Sequence, residues 1–125
     1  MKNQRLIVND MIKATVFKNS TDSGNAVYTG IVMEGHAGYA DEGEDIICAA
    51  VSALALNFFN SVEAFTEDGF EGGAGESGSF EFRFTSDISP ESKLLMNSLI
   101  LGLQNIERDY GKSYINVKLR RCNTC

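Results

Sequence analysis

Residues 11–18 (MIKATVFK) alternate apolar and other side chains and are rich in β-forming types, so they predict a strand. A polar, turn-rich run follows at 19–25 (NSTDSGN). Residues 26–34 (AVYTGIVME) predict a second strand that pairs with the first as a hairpin. Three glycines in the ten residues 35–44 (GHAGYADEGE) argue against a helix or a long strand there. Residues 45–65 (DIICAAVSALALNFFNSVEAF) then read as one long helix. Asp45 stands at its N-cap, with a carboxylate that reaches amides two or three residues on, and Cys48 takes the third helical position. Ile46, Ile47, Val51, Leu54, Leu56, Phe58 and Phe59 make this helix apolar nearly all round, unlike a helix with one solvated face. The pattern predicts a helix partly inside the domain and partly covered by a second subunit, hence a homodimer.

Residues 68–79 (DGFEGGAGESGS) are glycine-rich and predict a mobile loop, and residues 80–84 (FEFRF) alternate strictly as a strand does. Ser89, Pro90 and Glu91 signal a helix start: a capping hydroxyl, proline at the first helical position and an acid in the first turn. Leu94, Leu95, Leu99, Ile100, Leu103 and Ile106 keep helical spacing, and Gly111 ends the helix. Residues 114–120 (YINVKLR) alternate as a last strand. The order β-β-α-β-α-β predicts an α+β fold, two helices packed on a mainly antiparallel sheet. Residues 1–10 then form a flexible lead or extension, 11–120 a single domain and 121–125 a C-terminal tail.

Composition agrees with one folded domain: 125 residues, 12 aromatics as 8 Phe and 4 Tyr, and a single Pro. The net charge of -6 and pI near 4.7 disfavour generic nucleic-acid binding, which rests on basic patches, and suit a basic protein partner. The first ten residues lack a secretory signal's apolar core, and the apolar runs read as interrupted short of the roughly 18 residues of a membrane span. A cytoplasmic protein with no membrane partner is the expectation. Three cysteines cannot all pair internally, and in a reducing compartment all would be thiols.

The single histidine, His36, lies where a strand runs out, twelve residues before Cys48. A thiolate is the nucleophile of cysteine chemistry, and the first turn of a helix stabilises an anion through its free amides and dipole. A nearby imidazole would activate the thiol and later protonate a leaving amine, and the same helix start could serve an oxyanion. Plainer roles exist for each group. Cys48 would serve as a small core residue, His36 as a hydrogen-bonded surface group and Asp45 as a simple cap. Ser52, one turn after Cys48, would bond back to the Cys48 carbonyl. The Asp45 charge would raise the thiol pKa if it pointed that way. Cys122 and Cys125 form a lone C-x-x-C in the tail, too few ligands for structural zinc. Asp41, Glu42, Glu44 and Asp45 lack the spacing of a calcium loop. No metal and no cofactor are expected.

The segment GHAGYADEGEDIICAAVS, residues 35–52, resembles the signature of the ribosomal-processing cysteine protease family, Prp. Gly35-His36-Ala37 matches its first element, and the run from Asp45 to Ser52 matches its second with Ile47 in place of Val. The likeness implies an α+β homodimer that cuts an N-terminal extension, after a pair of aromatic residues, from the twenty-seventh protein of the bacterial large ribosomal subunit. It makes Cys48 the nucleophile and His36 the general base. Gly35, Ala37, Gly38, Asp45 and Ser52 become substrate-binding or supporting residues. It also implies that the loop between His36 and Cys48 orders around substrate, as Gly38 and Gly43 would permit. Residues 1–10 and the CNTC tail lie outside the family pattern. Two other readings stand beside it: a non-catalytic module that binds a ribosomal protein or assembly factor, and a thiol-redox protein using Cys122 and Cys125.

Overall fold

The computed structural model describes residues 11–19, 27–38 and 45–121. The expected lead 1–10, most of the first turn, the 39–44 part of the loop with Asp41, Glu42, Gly43 and Glu44, and Cys122 and Cys125 lie outside the described residues.

The hairpin forms as the alternation predicts. Strand β1 (Ile12–Lys18) pairs antiparallel with β2 (Tyr28–Glu34), in a register that sets Ala14 against Met33 and Val16 against Ile31. Helix α1 (Ile46–Phe65) follows, then β3 (Phe70–Ala74), β4 (Phe80–Phe84), α2 (Pro90–Tyr110) and β5 (Ile115–Arg121). The sheet order is β3-β4-β2-β1-β5, antiparallel except for the parallel pair β1 and β5. The fold class is the expected one, with one strand added. The glycine-rich stretch 68–79 supplies β3, a short 3-10 turn at Glu76–Gly78 and the return into β4. Pairing with the strongly alternating β4 overrides its poor strand propensity.

Side chains of period two supply one core face: Ile12, Ala14 and Val16, Ile31 and Met33, Phe80, Phe82 and Phe84, and Ile115 are buried. Both helices contribute stripes to the same core. Ile47, Val51, Ala55, Phe58 and Val62 of α1 recur every three or four residues, and Met96, Leu99, Ile100 and Leu103 do so on α2. Phe82 is the aromatic hub, with ring centroids 4.7 Å from Phe58, 4.8 Å from Phe84 and 4.9 Å from Phe70. The helices approach closely at Gly102, where a Cβ would stand 2.9 Å from Leu54 Cδ1.

Contrary to the expected interruption, α1 is long and apolar enough to cross a membrane by length and composition. Here one of its faces packs into the core. The opposite face leaves Ile46 53% and Leu56 46% exposed. Helix α2 starts as its signal predicts: Ser89 Oγ accepts from the Ser92 amide at 3.2 Å. Asp68, after α1, accepts from the Ser89 amide at 2.9 Å and the Ser89 hydroxyl at 2.7 Å, which ties the second cap to the end of the first helix.

Candidate active site

The site forms where β2 runs out against the start of α1. Gly35 has φ +97, and a Cβ there would collide with the Met11 carbonyl ahead of β1. Only glycine takes this backbone conformation cheaply at such a close approach. The chain then turns so that Ala37 is buried while His36 stays exposed. Burial of Ala37 anchors the segment, and its amide donates to Cys48 Sγ at 3.3 Å. The expected His and Cys elements are thus joined through the backbone of the residue after His36. Gly38 follows with φ +70 at the edge of the described segment.

Asp45 caps α1 as expected. It is 8% exposed, and its Oδ1 accepts from the amides of Ile47 and Cys48, each at 3.0 Å. This arrangement corrects the electrostatic expectation for Cys48. Two of the first-turn amides that would have stabilised a thiolate or an oxyanion, those of Ile47 and Cys48, are engaged by the cap. The thiol pKa is pushed up from the ordinary value: burial is the largest cause, the Ala37 amide opposes it, and the Asp45 charge and hydrogen bond add to the rise. A half-buried thiol beside a carboxylate stays protonated at rest until a base takes its proton.

His36, Cys48, Ser52 and Gly35 line one open cleft of about 560 Å³. Its apolar part comes from Ile12, Met33, Val51, Ala55 and Phe80, and Gly78 closes one side. Ser52 is exposed, and its hydroxyl makes no hydrogen bond among the described residues, so the bond back to the Cys48 carbonyl does not form. No side chain among the described residues hydrogen-bonds the His36 ring. The described residues hold no cluster of three or more His, Cys, Asp or Glu fit for a metal ion. Ala37 is one of the expected supporting residues, here through its amide, whereas the turn at Gly78 carries no site signal in the sequence. The glycine content of residues 69–78 reads there simply as a loop.

A family model described as Cysteine protease Prp matches residues 11–116. The Ribosomal processing cysteine protease Prp of Bacillus subtilis is 37% identical over 107 residues, spanning 80% of this chain and 90% of that protein. The Staphylococcus aureus protein of the same name is 28% identical over 86 residues, spanning 68% of this chain and 81% of its own length. A crystal structure of an essential ribosomal processing protease Prp from S. aureus, in complex with a covalently linked product peptide, superposes with a TM-score of 0.74 at 27% identity, over 86% of this chain and 99% of that one. A second S. aureus structure, with a substrate peptide, gives 0.65 at 25% identity, over 87% of this chain and 99% of that one.

Proposed function

The chain belongs to the cysteine protease Prp family and is a cysteine protease, and on that premise we propose that it removes the N-terminal extension of a bacterial large-subunit ribosomal protein, with Cys48 as nucleophile and His36 as general base. The observation that carries this reading is the shared cleft, lined by the imidazole and the thiol together. In the proposed sequence His36 takes the proton from Sγ, and the thiolate attacks the scissile carbonyl carbon. The C–N bond breaks as His36 gives that proton to the departing amine. A water, deprotonated by His36, then hydrolyses the thioester and regenerates the thiol. Thiol, imidazole and water suffice, so the mechanism calls for no cofactor.

The raised thiol pKa fits this order of events, because ionisation is deferred until the base acts. Among the donors described, the Ala37 N–H at 3.3 Å from Sγ is best placed to follow charge from sulfur to the oxyanion. The apolar side formed by Ile12, Met33, Val51, Ala55 and Phe80 suits aromatic substrate side chains, with Ser52 at the rim. The net charge of -6 suits a basic ribosomal protein and disfavours direct nucleic-acid binding, and a ribosomal substrate accords with a cytoplasmic enzyme. The exposed Ile46 and Leu56 on α1 are the surface we assign to a second copy in a homodimer.

The test is mass spectrometry of a peptide spanning the ribosomal protein's extension and first mature residues, incubated with wild type, Cys48→Ala and His36→Ala. A single cut by wild type, with both variants inactive and folded, is the expected result. Cleavage by Cys48→Ala, or binding of the peptide without cleavage by wild type, would overturn the assignment.

A further inference from the structure

The turn between β3 and β4 is tightly bonded. Gly75 donates to the Ser79 carbonyl at 2.8 Å, and Ser79 donates its amide at 3.2 Å and its hydroxyl at 3.0 Å to the Glu76 carbonyl. The paired strands on either side, Ala74 against Phe80 and on to Phe70 against Phe84, hold the turn in place. Within it Gly78 has φ +78. A Cβ at Gly78 would stand 3.4 Å from His36 Cε1 and 3.8 Å from both His36 Nδ1 and the Gly35 carbonyl oxygen. The Cε1–Nδ1 edge of the ring therefore faces the spot where any other residue would place a methyl or larger group. No described group hydrogen-bonds this ring, and the turn at Gly78 stands beside its Cε1–Nδ1 edge.

We propose that Gly78 is a positioning residue for His36: the bonded turn limits the ring on one side, while the missing side chain leaves clearance for it to move between thiol and leaving amine. The inference rests on reading His36 as the proton carrier. That role needs two positions, because the proton leaves Sγ and arrives at a nitrogen elsewhere, each within about 2.6–3.2 Å of the base. A methyl group 3.4 Å from Cε1 would touch the resting ring and bar its movement toward the turn. The ring can then serve one partner well and the other poorly.

Three variants separate this effect from backbone strain. Gly78→Ala adds a Cβ and pays for a positive φ. Gly78→Asn adds a Cβ but tolerates positive φ far better. Gly111→Ala, at φ +110 with nothing nearer than Ser113 Oγ at 4.0 Å, carries the strain at a site remote from His36. His36 is the single histidine, so its Hε1 proton gives one NMR signal. In wild type that signal should show a nuclear Overhauser effect to the Gly78 Hα protons. Both Gly78 variants should lower kcat by about tenfold or more with KM within about twofold, shift the Hε1 signal and move the acid limb of the pH–rate profile. Gly111→Ala should leave all three unchanged. Wild-type kcat in Gly78→Asn, or no Overhauser effect in wild type, would overturn the proposal. Should neither Gly78 variant fold, the wild-type Overhauser effect decides alone. Full cleavage by His36→Ala would instead defeat the underlying mechanism while leaving the NMR contact intact.

Discussion

Asp45 performs two tasks that oppose each other, and substitution separates them. Its buried carboxylate caps α1 through two amides at 3.0 Å, and it adds to the burial that raises the pKa of the Cys48 thiol. Replacing an N-cap Asp by Ala costs about 0.5–2 kcal/mol, whereas Asn caps about as well as Asp. Here one oxygen serves two donors at a site 8% exposed, which places Asp45→Ala near the upper end, about 2 kcal/mol. For a chain of this size each kcal/mol moves Tm by roughly 3–5 °C, so the loss is about 6–10 °C. Asp45→Asn should stay within about 0.5 kcal/mol, or roughly 2 °C. Both variants remove the negative charge beside the sulfur, so both should raise the rate of Cys48 alkylation by iodoacetamide at pH 7.5. Asp45→Ala should be the faster, because it also frees the amides of Ile47 and Cys48 to stabilise the thiolate. Calorimetry gives the stabilities, and peptide-resolved mass spectrometry follows Cys48 apart from Cys122 and Cys125. An unchanged Tm in Asp45→Ala would refute the cap energetics. Slower alkylation in Asp45→Asn would refute the claim that the carboxylate opposes ionisation.

The remaining predictions concern stability. Because the folded-state pKa of Cys48 lies above its unfolded value, the protonated thiol stabilises the fold at neutral pH. That stabilisation disappears as pH rises through the ordinary thiol pKa toward the raised one. Tm should therefore fall more steeply above about pH 9 in wild type than in Cys48→Ala, and identical profiles would contradict it. The Asp68 carboxyl is held below its usual range, first by the adjacent Ser92 hydroxyl, although no bond between them meets ordinary hydrogen-bond geometry, and then by the Ser89 amide and hydroxyl. Its stabilising effect is present above the usual carboxylate pKa of about 4 and is lost as pH falls through the lowered value, so Asp68→Asn should flatten the acid limb of a Tm–pH curve. Phe82→Ala removes the ring shared by Phe58, Phe70 and Phe84 and should cost about 3–5 kcal/mol in urea unfolding; a loss under about 1 kcal/mol would mean that the core collapses around the gap.

Much of this architecture is legible because local signals and the fold agree. Both helix starts carry their caps in the sequence, and the alternation of FEFRF and MIKATVFK puts the right residues inward. What escapes is what depends on partners far along the chain. Strand β3 (FEGGA) has no strand signal of its own and exists by pairing with β4. The apolar surround of α1 is visible in sequence, but which side packs inward depends on the sheet beneath it. At the site, proximity of His36 and Cys48 follows from the matched motif. The cap and the sign of its charge effect follow from Asp45 itself, whereas the burial that contributes most to the raised thiol pKa comes from packing and does not show in the residue count. The Ala37 amide on Sγ and the Gly78 turn on His36 are contacts between segments, silent in any local pattern.

The most direct measurement is intact-mass spectrometry of the enzyme quenched in acid during turnover of the extension peptide, followed by mapping of the adduct. Cys48 as nucleophile requires a covalent adduct on Cys48 equal in mass to the N-terminal product less one water, appearing within the first turnover and absent from Cys48→Ala. Steady cleavage by Cys48→Ala, or an adduct that maps to another residue, would contradict it.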